Sequence, residues 1–142
     1  MIVFDLNVCL YVVNIESAHH AAVKNCFERT PAGEELVGFP WIVILGFLRI
    51  STNRRIFPTP LAPEQAMSVI DGWISMPIIQ ALNPRRDHWR VFKSLLGDMG
   101  TAANLKKDVH LAALAIENGA KLYSFGRDFM RFPRLKCVHP EA

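Results

Sequence analysis

Apolar residues follow two rhythms in this chain. Short β-branched stretches alternate with longer runs in which apolar side chains return every three or four positions. Residues 2–6 form the first short stretch, which reads as a buried strand ending where Asp5 and Asn7 appear. Ser17 is placed to cap a helix over 19–29, and Pro31 with Gly33 closes it before a strand at 35–39. Pro40 then opens a helix over 41–50 that is apolar on nearly every face and ends near Thr52 and Asn53. Three prolines and two arginines mark 54–63 as an extended surface connection. A helix over 64–76 carries Met67, Ile70, Trp73 and Ile74 on one side, and a strand over 78–82 is stopped by Asn83 and Pro84. An amphipathic helix over 86–99 and a break at 97–103 precede an almost wholly apolar helix over 108–118, with Gly119 as its stop. A strand over 121–124, a turn of helix around 128–131 and a last strand over 136–139 complete the series. Strands alternating with helices of this length predict an α/β fold, a mainly parallel sheet of about five strands covered by helices.

The length of 142 residues, with no repeat, low-complexity tract or Gly/Ser-rich linker, predicts one domain over 1–142. Hydrophobic residues at 51% and charged residues at 20% exclude disorder. The longest apolar run, near Trp41, is interrupted too soon to span a bilayer, and Asp5 stands where a signal peptide would carry a cation. A soluble chain that is not exported is therefore expected. Cys9, Cys26 and Cys137 are odd in number and widely spaced, without the pairing of a zinc site or disulfide framework, so they read as small buried hydrophobes. A net charge of +3 permits an anionic partner such as RNA without demanding one. Neither G-x-G-x-x-G nor a P-loop is present, which argues against nucleotide-dependent chemistry.

In open parallel sheets, ligands bind outside the carboxyl ends of the strands. Asp5 sits at such an end, Asp108 lies in the first turn of a buried helix, and residues 126–128 follow the end of another strand. Carboxylates gathered there repel one another, and Mg²⁺ or Mn²⁺ relieves the repulsion because hard cations prefer oxygen ligands. Such a metal can activate water and neutralise charge on a phosphodiester. Each acid also has a plainer reading. Spacing alone favours a helix cap for Asp108 and offers the same for Asp128. Asp5 directly follows Ile2-Val3-Phe4, where burial is costly without a partner, which leaves its two readings balanced.

Among the remaining polar residues, Asn7 suits a turn that orients Asp5 and equally a helix cap. Asn104 shares the face of Asp108 only if the helix begins that early. His110 is turned away from that face and reads as a surface or satisfied core histidine. His19, His20, His88 and His139 lack zinc-like spacing. Arg49, Arg54, Arg55, Lys106, Lys107, Arg127 and Arg131 lie in segments near the acidic edge, where they offer phosphate contacts or a solvated surface. Phe47, Trp41 and Trp73 sit at helical spacings that favour the core. Exposed apolar residues of the early helices offer a dimer face or a groove for a partner helix. A signalling receiver domain also gathers acids at strand ends, but the strand that should carry its phosphoacceptor ends Leu82-Asn83-Pro84.

Three segments, MIVFDLNVCLYVVN, PWIVILGFLRISTNRRIF and NLKKDVHLAALAIENGAKLYSFGRDFMRFP, together resemble the PIN-domain ribonuclease toxins of the VapC type over nearly the whole chain. The resemblance implies a cytoplasmic toxin of a type II toxin-antitoxin system that cuts RNA with Mg²⁺, forms homodimers and is silenced by a cognate antitoxin. It implies that Asp5 and Asp108 are the metal-binding aspartates. Two departures stand out. Gly46 occupies the position where many PIN proteins carry a glutamate, and Ser124-Phe125-Gly126-Arg127-Asp128-Phe129 replaces a D-x-D-F-like turn, so the first acid of that pair is missing. Two readings stand for Asp128: a third catalytic acid approaching the metal through water, or a cap for the following turn. Each lost carboxylate removes charge from the pocket, so weaker metal affinity is expected. The alternative function is a degenerate PIN-fold protein that binds an antitoxin or RNA without cutting.

Overall fold

The computed structural model describes residues 1–29, 35–99 and 106–141. Its centre is β1 (Ile2–Phe4), an apolar triplet buried on both faces, as the middle strand of a parallel sheet must be. β2 (Val37–Pro40) and β3 (Ile79–Leu82) lie to one side of it, β4 (Lys121–Tyr123) and β5 (Lys136–Val138) to the other, in the order β3-β2-β1-β4-β5 with every pairing parallel. Ile2 pairs with both Val37 and Lys121. The chain leaves β1 toward β2 and returns on its other side as β4, so the direction of winding reverses there. A crevice opens at the carboxyl ends of strands wherever that happens.

Among the described residues six α-helices flank the sheet. One was not anticipated: β1 stops at Phe4, two residues before the expected end of that stretch, and the chain turns at Leu6 into α1 (Leu6–Val13). Its run of LNVCLYVV looks strand-like because valines dominate it, but Asp5 is its N-cap, and a carboxylate before an apolar run is a helix-start signal. α2 (His20–Arg29) follows a turn in which Ser17 Oγ accepts from the His19 N–H at 3.1 Å. α3 (Trp41–Ser51), α4 (Pro63–Ile74), α5 (His88–Met99) and α6 (Lys106–Glu117) fall within a few residues of their expected places. A 3-10 turn, Arg127–Arg131, precedes β5. Pro31, Gly33, Asn104 and residues 100–103 of the expected break lie outside the described residues.

Trp73 anchors one side of the core, its ring 5.1 Å from Phe47, 5.3 Å from Phe27 and 5.5 Å from Phe39. α3, apolar on nearly every face, buries the side that carries Val43, Ile44 and Phe47 and leaves its other side open. Trp41 is 51% exposed and Leu45 61%, because among the described residues no element covers the outer face of α3. Met67 and Ile74 likewise face outward, while Ile70 and Trp73 of the same helix point in. Cys9 and Cys26 are buried as expected and Cys137 is half-buried.

α5 and α6 are joined by a polar chain. Glu117 Oε2 meets His88 Nδ1 at 2.8 Å, His88 Nε2 meets His110 Nδ1 at 2.9 Å, and the Arg85 N–H donates to Glu117 Oε1 at 2.9 Å. His110 is thus the satisfied histidine that its spacing allowed, and burial pushes its pKa down. Gly119, which ends α6, has φ +62°, a conformation that glycine adopts without strain. Among the described residues no helix is long and apolar enough to cross a membrane.

Candidate active site

Asp5 marks the point where β1 ends and α1 begins. Its N–H bonds to the Tyr123 carbonyl, which continues the β1–β4 ladder, and its backbone then opens into the capping conformation. Both carboxylate oxygens are engaged. Oδ1 accepts the Leu6 N–H at 2.7 Å and Oδ2 accepts the Ser124 hydroxyl at 2.6 Å. Ser124 is itself buried, and its Oγ accepts the Gly126 N–H at 2.9 Å. Its single proton therefore goes to Asp5, and the carboxylate is locked in orientation. Each Asp5 oxygen retains a lone pair for a further ligand. Burial raises the pKa of Asp5, against which the Ser124 and Leu6 hydrogen bonds pull downward.

Asp108 lies half-buried in the first turn of α6. Its pKa is also raised, first by burial, then by the charge of Asp5, then by that of Asp128. Asp108 thus feels the charge of both other acids named from sequence, although Asp5 lies more than a hundred residues before it. Asp128 is more open, in the first turn of the 3-10 segment, with the Arg131 guanidinium at 3.8 Å.

Asp5 and Asp108 open into one cavity of about 340 Å³. Leu6, Ile42, Leu45 and Leu111 form apolar wall, Gly46 contributes bare backbone, and Arg49 and Lys107 add positive charge. Asp128 does not line it, and of the other five cations expected near this edge, Arg54, Arg55, Lys106, Arg127 and Arg131, none does either. Gly46 sits hard against α1: a Cβ there would stand 2.7 Å from Leu6 Cδ2. Leu6 thus occupies the space into which a side chain at 46 would extend.

Some expected residues play other parts. Asn7 does not orient Asp5; that work falls to Ser124 and the Leu6 N–H, while Asn7 Oδ1 is buried without a hydrogen-bond partner among the described residues. Ser124 escaped notice because a serine at a strand end has no pattern of its own; only its closeness to Asp5 gives it meaning. The histidines bond elsewhere: His19 and His139 to Glu141, His20 to the Tyr11 carbonyl, and His88 with His110 in the α5–α6 chain. Among the described residues no three His, Cys, Asp or Glu side chains gather as a ready-made metal cage. Two carboxylates with oxygen donors alone do suit a hard divalent cation that keeps most of its waters, as Mg²⁺ does.

A protein-family profile described as PIN domain matches residues 2–135. Among curated proteins, the chain is 37% identical to "Ribonuclease VapC37" of Mycobacterium tuberculosis, across 100% of this chain and 99% of that one. It is 34% identical to "Ribonuclease VapC33" of the same species, across 99% and 98% of the two chains. Among solved structures, VapBC-1 from nontypeable Haemophilus influenzae matches with a TM-score of 0.72 at 16% identity over 100% of both chains. VapBC2 from Rickettsia felis, bound to a DNA fragment from its promoter, gives 0.71 at 20% identity over 97% of this chain and 98% of that one. At those identities the structural likenesses speak for the fold alone.

Proposed function

This chain belongs to the PIN-domain family, and from that premise we propose that it is the toxin of a VapC-type toxin-antitoxin pair, an Mg²⁺-dependent endoribonuclease that hydrolyses RNA phosphodiester bonds. The observation that carries the reading is the convergence of Asp5 and Asp108 on one cavity, each with its pKa raised by burial and Asp108 further by its neighbour's charge. Two acids held against their own desolvation and repulsion are a site that gains from a cation.

In this reading Asp5 and Asp108 hold the ion. Mg²⁺ bound there supplies an activated water and neutralises charge on the phosphodiester. Ser124 and the Leu6 N–H fix the Asp5 carboxylate so that no reorientation is needed during the reaction. Arg49 and Lys107 draw the RNA backbone to the acids. Asp128 acts at longer range, as a third acid that steers water toward the pair. Residues 1–142 form one catalytic domain, and Mn²⁺ substitutes for Mg²⁺. A cognate antitoxin and a second copy of this chain are its protein partners, with the outward Met67 and Ile74 of α4 available for contact.

Cleavage of RNA across a titration of Mg²⁺ tests the proposal. With Gly46 and Gly126 in place of acids, activity should need more metal than in a relative with the full acidic set; saturation at micromolar metal would count against this. Asp108→Asn should abolish cleavage and metal binding together. A purified protein that cuts no RNA at any metal concentration would leave the degenerate binder as the better account.

A further inference from the structure

A site for a phosphate and a metal ion has no need of hydrocarbon, yet the cavity beside the acids is walled by Leu6, Ile42, Leu45 and Leu111. The apolar surface continues outside it. Trp41 lies one turn before Leu45 on the same face of α3 and Arg49 one turn after it, and all three are exposed. α3 therefore presents an aromatic, an aliphatic and a cationic side chain in a row, the last two lining the cavity that holds Asp5 and Asp108. Lys107 lines it from α6. Among the described residues neither Arg49 nor Lys107 forms an ion pair.

An occupant that matches these features has flat apolar faces and carries negative charge close by. A nucleotide has both. We infer that Trp41, Ile42 and Leu45 form a nucleobase subsite beside the phosphodiester that is cut, with Arg49 and Lys107 taking the phosphates that flank the base. The inference rests on the ribonuclease reading and deepens it by giving the apolar wall a part in choosing the RNA. An apolar partner helix would fit the Trp41–Leu45 surface but would leave the two cations beside the acids without a counterpart, which is why the nucleotide is favoured.

Fluorescence anisotropy in EDTA, where nothing is cut, tests it with labelled hexaribonucleotides A6, C6, G6 and U6 and an abasic ribose-phosphate hexamer of the same charge. At least one base-bearing hexamer should bind about tenfold tighter than the abasic one, the order expected of one stacked base. Leu45→Ser and Trp41→Ala, both at exposed positions, should erase that advantage and leave abasic binding in place. Arg49→Ala combined with Lys107→Ala should weaken every hexamer and lower the slope of affinity against salt by about 1.4, the share of two phosphates on a single strand. Hexamers indistinguishable from the abasic chain, or an advantage that survives both α3 variants, would overturn the inference. So would sedimentation that shows a dimeric wild type and a monomeric Leu45→Ser, which assigns the surface to contact between copies. Cleavage with Mg²⁺ is measured separately. RNA cut without any base advantage sinks the subsite alone, and a base advantage without cutting upholds the subsite and sinks the hydrolytic reading alone.

Discussion

In the proposed site Ser124 would touch the chemistry only through Asp5, whose carboxylate it orients together with the Leu6 N–H. Groups that orient a metal ligand in this way typically change metal affinity 10–100-fold when removed. Ser124→Ala should therefore keep the fold and weaken Mg²⁺ or Mn²⁺ binding by about tenfold in a calorimetric titration; an unchanged affinity would show that the Leu6 N–H alone suffices. Gly46→Glu puts an acid on the cavity wall but drives its Cβ against Leu6. Alone it should lower stability by about 1 kcal/mol, as overpacking does, and Leu6→Ala should relieve that loss and tighten metal binding in the double variant. Chemical denaturation with and without metal reads both effects. Asp5 was visible in sequence because a carboxylate after three apolar residues is out of place, and Asp108 because it opens an apolar helix. Ser124 was not, since nothing in a serine's local surroundings tells of an aspartate 119 residues away.

Strands and helices with a clear period were readable, and α2 to α6 and all five strands lie close to where periodicity put them. α1 was lost because its eight residues are too uniformly apolar for a 3.6-residue period to show against a strand's period of two. The exposure of Trp41 and Leu45 was equally hidden, because an apolar run does not state which of its faces a neighbour will cover. The join between α5 and α6 is tertiary in origin. Glu117, with a side chain only 2% exposed, sits near a helix C-terminus, where the helix dipole disfavours negative charge, and is held by His88 and the Arg85 N–H. Glu117→Ala should lower stability by about 1 kcal/mol, leaving the half-buried His88 without its acceptor. Glu117→Gln, which keeps an acceptor, should lose less. Thermal melts of the two variants against the wild type check the assignment.

Burial and mutual repulsion of the acids bear on the stability of the entire fold. Asp5 and Asp108 both have folded values raised above their ordinary 3.8, so the folded chain holds protons that the unfolded chain has released. The resulting penalty is absent below the ordinary value, grows as pH rises toward the raised values and is complete above them. In the absence of metal, Asp108→Asn should therefore be more stable than the wild type at pH 7, with the gap closing toward pH 4. In the proposed site a divalent cation would bind the ionised pair and not the unfolded chain, so Mg²⁺ should raise the melting temperature of the wild type at pH 7 and leave it nearly unchanged at pH 4. A rise that is equal at both pH values would place the ion elsewhere. The same parallel sheet explains why these distant acids meet at all: β1 is flanked by β2 and β4, and the reversal of winding there brings the start of α1, the end of β4 and the first turn of α6 to one edge.

The close approach of Leu6 to Gly46 also bears on how the pocket can change. A glutamate at 46 and a leucine at 6 compete for one volume, so a chain carrying the acid needs a smaller or differently turned neighbour. Introducing the acid by one substitution therefore passes through a less stable protein, and only the second change relieves it. The shape of this pocket is set by two residues at once, and neither can be exchanged as if the other were not there.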